Sequence, residues 1–349
     1  MKKIVPALIL LSLCSVLTFS QSTKVQRPRV VVDPTPTPTP SDTKKPLAPP
    51  PSLIIESDEE IKIETELVTL PVSVLDREGR FISGLRELDF DIYENGAKQQ
   101  IEYFASLEKP FTVVLLIDVS PSTKYKIDEI QDAAISFVSE LRPQDRVVVA
   151  SFSRDFTILS KNKRSYHRIR RDIRKAQFGD GTSLYQAIDY AVENLLRPIE
   201  GRKALVLFSD GVDTTSIGPN FRSTLAQVEA ADSLVYAVRY NTFDKSQVNP
   251  RPGYVYPVGS SPQEYARGKD YLKKMTRLSG GRLFEAENTR NLDAAFTSIA
   301  EELRRQYAIG YYPEIVGQAG ERKNIRVLVK KPNLTVRTKN SYIVKKDEN

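Results

Sequence analysis

Asp118, Ser120 and Ser122 set three oxygen-bearing side chains at alternate positions, at the end of the apolar run TVVLLID and just beyond it. Two more groups of the same kind stand downstream. Thr182 follows a glycine in FGDGTSLYQAI, and Asp210 lies in SDG after the run KALVLF. Two carboxylates and three hydroxyls are hard oxygen donors. They suit Mg²⁺, are tolerable for Mn²⁺ or Ca²⁺, and offer zinc no soft ligand. Taken singly, each position has a plainer role: Ser122 or Thr182 as a helix N-cap, Asp210-Gly211 as a turn. Only elements that bring the three loops to one place make them a site.

Those elements can be read from the pattern that begins after Pro110. TVVLLID, RVVVASF, KALVLF, SLVYAVRY and the shorter GRLFEA read as strands of a buried parallel sheet. IDEIQDAAISFVSEL carries Ile127, Ile130, Ala134, Phe137 and Leu141 on one helical face. Further helices are expected in SYHRIRRDIRKAQ, SLYQAIDYAVENLL, FRSTLAQVEAA, DYLKKMTRLSG and TRNLDAAFTSIAEELRRQ. The alternation predicts an α/β fold: a doubly wound, mainly parallel, Rossmann-like sheet over residues 109–305. In such sheets ligands bind beyond the carboxyl ends of the strands, and all five oxygen-bearing residues fall at that rim. Residues 241–267, rich in Pro, Gly, Tyr and Ser, read as a long loop.

The flanks follow a different rule. KIETELVTLPVSVLD and DFDIYENGAKQQIEYFA alternate polar with apolar residues, and Asn95-Gly96 is a hairpin signal. After the last helix, YAIGYYPE, NIRVLVKK and LTVRTKNSYIV behave likewise. About four strands in front and three behind are each too few for a stable sandwich. Residues 61–108 and 306–345 are therefore expected to fold together as one β-sandwich into which the α/β domain is inserted, with 346–349 as a tail.

DxSxS at Asp118, Ser120 and Ser122, the DGT loop with Thr182 and the SDG loop with Asp210 occur in one order on matching elements. In this they resemble the metal-ion-dependent adhesion site of von Willebrand factor type A domains. VSVLDREGRFISGLRELDFDIYENG, LSGGRLFEA and YAIGYYPE are further similar to a bacterial VWFA-related family often described from acidobacteria. The resemblance covers residues 62–345. It implies that the serine hydroxyls bind the ion directly, the aspartates directly or through water, and that Thr182 engages as the state changes. It also implies an open coordination position filled by an Asp or Glu of a protein partner. Lys124 and Tyr125, with Asp180 and Asp213 beside the second and third loops, are expected to face that partner. Integrin β relatives carry further acids after DxSxS for a second cation. Lys124, Tyr125 and Lys126 stand there instead, so a second ion is not expected.

The ends and the composition restrict the remaining classes. Lys2 and Lys3, the apolar Ile4–Leu17 and Thr18-Phe19-Ser20 read as a Sec signal peptide over residues 1–20, with export to periplasm, cell surface or medium. A lipoprotein acylated at Cys14 is the weaker alternative, because Leu13 precedes it where a small residue is wanted. Cys14 is the only cysteine, so cleavage would leave neither disulfides nor thiol chemistry. Residues 21–60, with VVVDPTPTPTPSDTKKPLAPPPS, read as a polyproline-type spacer. Without the leader, 49 basic residues face 44 acidic ones, a mild excess that argues against nucleic acid. No later run reaches membrane-spanning length. His167 is the sole histidine and no phosphate loop occurs, so a catalyst is not expected. The alternatives are electrostatic attachment to anionic polymer or lipid through the basic helix at 164–175, and a metal-dependent hydrolase using Asp118 and Asp210.

Overall fold

Alternating residues at the front of the chain form four strands: β1 (Val68–Leu75), β2 (Phe90–Glu94), β3 (Ala97–Gln99) and β4 (Tyr103–Leu107). The α/β layer begins with β5 (Thr112–Asp118), α1 (Ile127–Ser139), β6 (Arg146–Phe152), β7 (Phe156–Lys163) and α2 (Tyr166–Ile173). Next come α3 (Leu184–Tyr190, prolonged by a π-helical turn over Ala191–Leu196), β8 (Lys203–Phe208), α4 (Phe221–Ala230) and β9 (Leu234–Tyr240). It closes with α5 (Pro262–Ser279), β10 (Leu283–Ala286) and α6 (Thr289–Arg304). Four strands follow: β11 (Gln306–Tyr311), β12 (Arg322–Val329), β13 (Thr335–Arg337) and β14 (Ser341–Ile343). This computed structural model describes residues 66–107, 109–122, 127–163, 165–240, 242, 255–286 and 289–344. The expected leader with Cys14, the spacer, Lys124, Tyr125, Lys126 and the tail lie outside the described residues.

The central sheet runs β10-β9-β8-β5-β6-β7, parallel throughout except that β7 runs against β6. Both faces of β5 are covered, which is why its sequence is continuously apolar. Val113, Leu115 and Ile117 pack with Ile130, Phe137 and Phe296 of α1 and α6. Val114 and Leu116 pack with Leu184, Ile188 and Leu272 of α3 and α5. The chain winds outward from β5 to β6 and β7, then returns to lay β8, β9 and β10 on its other side. The order therefore reverses beside β5, and the carboxyl ends of β5 and β8 are where sheets of this order bind ligands.

The two flanks interleave. One antiparallel sheet has the order β13-β1-β11-β4, the other β14-β12-β2-β3, so each draws strands from both ends of the chain. Leu70, Val72 and Ile309 of the first meet Phe90, Ile92 and Val327 of the second in one buried cluster. Tyr307 is its centre: Phe81, Phe90 and Phe104 lie with ring centroids 5.5–5.6 Å away. Its hydroxyl donates to the Ile82 carbonyl at 2.9 Å and accepts the Leu85 N–H at 3.1 Å. Tyr307→Phe keeps the ring and removes both bonds, leaving a buried N–H unmet. A loss of about 1–2 kcal/mol in urea unfolding is expected; unchanged stability would show that these bonds contribute nothing.

Three elements differ from the sequence reading. The edge strand β7, FTILSKNK, was not anticipated: it is antiparallel, turns polar after Leu159 and pairs with β6 through two irregularities. LTVRTKNSYIV, expected as one strand, is two. β13 pairs with β1 and β14 with β12, the chain changing sheets at residues 338–340. Helix α5 begins at Pro262, inside the segment read as a loop, with Ser261 and Glu264 in a reciprocal capping box.

Candidate metal centre

Asp118 is the last residue of β5 and is fully buried. Its Oδ1 accepts the Ser120 N–H at 3.0 Å, a local turn that reverses the chain at the strand end. Its Oδ2 accepts the Ser209 hydroxyl at 2.7 Å, across from β8. The Ser120 and Ser122 hydroxyls lie 3.1 Å apart, and Ser122 donates to Asp210 Oδ2 at 3.1 Å. Asp118, Ser120, Ser122 and Asp210 thus form one continuous polar cluster. Ser120 is buried with the two aspartates, whereas Ser122 is exposed, so the cluster opens to solvent on that side. The described part of α1 begins at Ile127.

Thr182 is buried in the neighbouring loop, where Gly181 adopts φ +63° with Thr215 pressed against it. The Thr182 N–H donates to Thr214 Oγ1 at 2.9 Å, and its carbonyl accepts the N–H groups of Thr214 and Thr215. The second loop is laced in this way to the loop that follows Asp210. No hydrogen bond joins Thr182 to the other four residues among the described ones. Nor does it cap α3, since Ser183 occupies that position. Asp213 uses its carboxylate internally: Oδ2 accepts the Tyr185 N–H at 3.0 Å and the Ser216 hydroxyl, and Oδ1 accepts the Ser216 N–H. Asp180 is exposed.

Several participants were not foreseen. Ser209 accepts the Gly211 N–H at 3.0 Å while donating to Asp118, so it fixes both acid-bearing loops. Thr242 donates to Asp210 Oδ2 at 2.6 Å and shares a hydrogen bond with the Tyr265 hydroxyl. Arg239 donates to the Asp210 carbonyl at 3.3 Å, and the Val212 N–H meets Asp210 Oδ1 at 3.0 Å. The Tyr240 hydroxyl is buried without a hydrogen-bond partner among the described residues and feels the charge of both aspartates. Thr242 and Tyr240 lie beyond the end of β9 or at it, a strand end that carries no recognisable motif; only the topological rule points there.

Burial, then the charge of Asp210, raises the Asp118 carboxyl to about 7, against the pull of the Ser120 and Ser209 bonds. Burial also raises Asp210, although Thr242, Val212, Ser122 and Arg239 oppose it. Two mutually repelling buried carboxylates, neighbouring hydroxyls and an unpartnered phenol favour a small hard cation between them. Asp118, Ser120, Ser122 and Asp210 would hold it, with Thr182 beside them. Among the described residues no group of three His, Cys, Asp or Glu side chains is placed to hold a metal ion, so a cation here would draw its donors beyond the two carboxylates from hydroxyls. No helix among them is long and apolar enough to cross a membrane.

The basic segment has an ordinary structural use. Ile169 and Ile173 of α2 are in the core, Lys175 pairs with Asp172 at 2.9 Å and Arg174 pairs with Asp132. His167 is exposed on the same helix.

Comparison with known proteins places this arrangement. The family profile of the von Willebrand factor type A domain matches residues 113–212. A UPF0353 protein of Mycobacterium leprae is 25% identical over 207 residues, covering 55% of this chain and 60% of that protein. The corresponding Mycobacterium tuberculosis H37Rv protein is 24% identical over 208 residues, with the same coverage. The chain thus spans about 60% of the length of these relatives. Among solved structures, a von Willebrand factor type A protein from Catenulispora acidiphila aligns with TM-score 0.44 and 11% identity, covering 82% of this chain and 76% of that one. The vWF domain of the type V pili tip protein Mfa5 from Porphyromonas gingivalis aligns with TM-score 0.43 and 14% identity, covering 55% and 94%. The profile match runs from β5 to just past β8 and includes all three acid- and hydroxyl-bearing loops, so residues 113–212 are similar to a von Willebrand factor type A domain.

Proposed function

We propose that the chain captures an acidic group of a protein partner through a divalent cation, Mg²⁺ by donor chemistry, at the carboxyl rim of its central sheet. The observation that carries this reading is the cluster of Asp118, Ser120, Ser122 and Asp210, which ends in the exposed Ser122. A bound cation there would supply a positively charged position for an anionic oxygen. The chain's own groups do the rest. Ser209 and the Ser120 N–H aim Asp118, while Thr242 and the Val212 N–H aim Asp210. With two carboxylates against a dication the local charge is close to balanced, and residual polarisation favours a third, incoming acid. The leader-like first twenty residues would place this module outside the cytoplasm, and the Pro/Thr-rich spacer would hold it away from its attachment. The reading is of a binding module, supported by the exposed end of the cluster at Ser122, where a partner's oxygen could reach the cation.

The test is capture from an envelope extract of the source organism by the immobilised chain. Retention with Mg²⁺ and release by EDTA are expected. Capture that survives EDTA but weakens steeply with salt would instead assign binding to surface charge.

A further inference from the structure

The carboxyl rim of the central sheet carries a second feature beside the candidate cation centre. Among the described residues, the three most exposed large apolar side chains are Val255 (85%), Ile217 (82%) and Val258 (79%). Single exposed apolar residues are ordinary on any protein surface. These three belong to two segments in contact: 211–218, which follows Asp210, and 255–261, which leads into α5. Helices of a doubly wound sheet run against its strands, so the starts of α3 and α5 lie at the rim where the carboxylates stand.

The contacts place these segments beside Thr182. A Cβ on Gly259 would stand 2.5 Å from Thr214 Cγ2 and 3.5 Å from Val212 Cγ1, so the backbone next to Val258 rests on the Asp210 loop. Thr214 Oγ1 receives the Thr182 N–H, and a turn closed from the Ser260 N–H to the Pro257 carbonyl at 3.0 Å spans Val258. The Ile217 N–H donates to Gln186 Oε1 at 3.0 Å, in the first turn of α3, which begins two residues after Thr182. Backbone fixed in this way holds Ile217 and Val258 in water next to the second loop. Segments 211–218 and 255–262 hold one charged side chain, Asp213, whose oxygens already accept from Tyr185 and Ser216. Apolar surface that the fold leaves exposed, gathered next to a polar centre, marks a protein contact.

We propose that the rim of Ile217, Val255 and Val258 receives bulky apolar side chains that flank the partner's acidic residue. This rests on the reading that a cation held by Asp118 and Asp210 captures that acid, and it adds the partner's chemistry. The partner presents Asp or Glu between aliphatic or aromatic neighbours. The acid fixes orientation, while the apolar neighbours supply the area removed from water and discriminate among acidic partners.

The test passes the full-length chain over three immobilised peptides, each acetylated and amidated at its ends: Leu-Asp-Leu, Ser-Asp-Ser and Leu-Asn-Leu. In Mg²⁺, Leu-Asp-Leu should bind at least tenfold more tightly than Ser-Asp-Ser, EDTA should release both, and Leu-Asn-Leu should not be retained. Ile217→Ser and Val258→Ser should each weaken Leu-Asp-Leu at least threefold, leaving Ser-Asp-Ser binding and calorimetric Mg²⁺ affinity unchanged. Ile315→Ser, at an exposed apolar position after β11, should alter none of these. Equal, Mg²⁺-dependent binding of Leu-Asp-Leu and Ser-Asp-Ser would overturn the proposal and leave the cation reading standing. Leu-Asn-Leu bound as tightly as Leu-Asp-Leu, in EDTA as in Mg²⁺, would overturn the cation reading and with it the pairing of acid and rim. Retention of none of the peptides, or full Leu-Asp-Leu affinity in both serine variants, would also overturn the proposal.

Discussion

Asp118→Asn is expected to weaken Mg²⁺ binding by at least a hundredfold while leaving the metal-free fold as stable as the parent, or more so. The two halves of this result come from one geometry. Asn keeps an oxygen for the Ser120 N–H, and its amide can donate to Ser209, whose hydroxyl then turns to accept. Local structure is retained, but the anionic charge is gone from a place where a cation would rely on it. In the parent without metal, that same charge is a burden. Asp118 is fully buried beside Asp210, and its carboxyl is raised from 3.8 to about 7. An acid whose pKa is higher in the folded than in the unfolded chain binds its proton more tightly when folded. The metal-free parent should therefore gain stability as pH falls from about 7 towards 4, whereas above 7 the full penalty is present. The Asn variant should show a shallower slope in EDTA, the remainder coming from Asp210, which burial still raises. Calorimetry with Mg²⁺ and thermal unfolding across pH read both halves. Undiminished Mg²⁺ affinity in a folded Asp118→Asn chain would remove Asp118 from the ligand set.

The residues behind this prediction were legible because each announces itself locally. A strand that ends in Asp-x-Ser-x-Ser, and another that ends in Ser-Asp-Gly, place side-chain oxygens where the backbone must turn anyway, and the strand–helix alternation fixes which rim they share. Ser209 and Thr242 were not legible as partners of Asp118 and Asp210. Their bonds span 91 and 32 residues, and the sheet order decides them. Interleaving of the flanks followed from arithmetic, since four strands and three needed one another. The division of LTVRTKNSYIV between two sheets did not, because nothing in an alternating run says where it changes partner. The start of α5 is a different kind of miss. Ser261-Pro262-Gln263-Glu264 is a capping-box sequence with proline at the first helical position, and the surrounding Pro- and Gly-rich composition hid it.

Gly268→Ala is expected to destabilise the chain by about 1–2 kcal/mol and to weaken cation binding about tenfold, against the direction that helix propensity alone would give. Gly268 lies in the middle of α5, where alanine is ordinarily better by about 1 kcal/mol. Here α5 crosses the loop that carries Asp210 with backbone on backbone. A Cβ at residue 268 would stand 2.6 Å from both C and O of Gly211 and 3.0 Å from the Val212 nitrogen. The reverse contact is as close, since a Cβ at Gly211 would meet the Gly268 carbonyl at 2.6 Å. No side chain can rotate out of the way, so helix and loop must part by several tenths of an ångström. Overpacking of this kind costs about 1–3 kcal/mol and outweighs the propensity gain. The atoms displaced are those that orient the acid: the Gly211 N–H bonds Ser209 Oγ, and the Val212 N–H bonds Asp210 Oδ1. Stability and cation affinity should therefore fall together. Lys273→Ala, on the exposed face of the same helix, should change neither. If Gly268→Ala proves as stable as the parent, the contact between α5 and the Asp210 loop is slack. If only the affinity survives, the loop holds Asp210 independently of the helix beneath it.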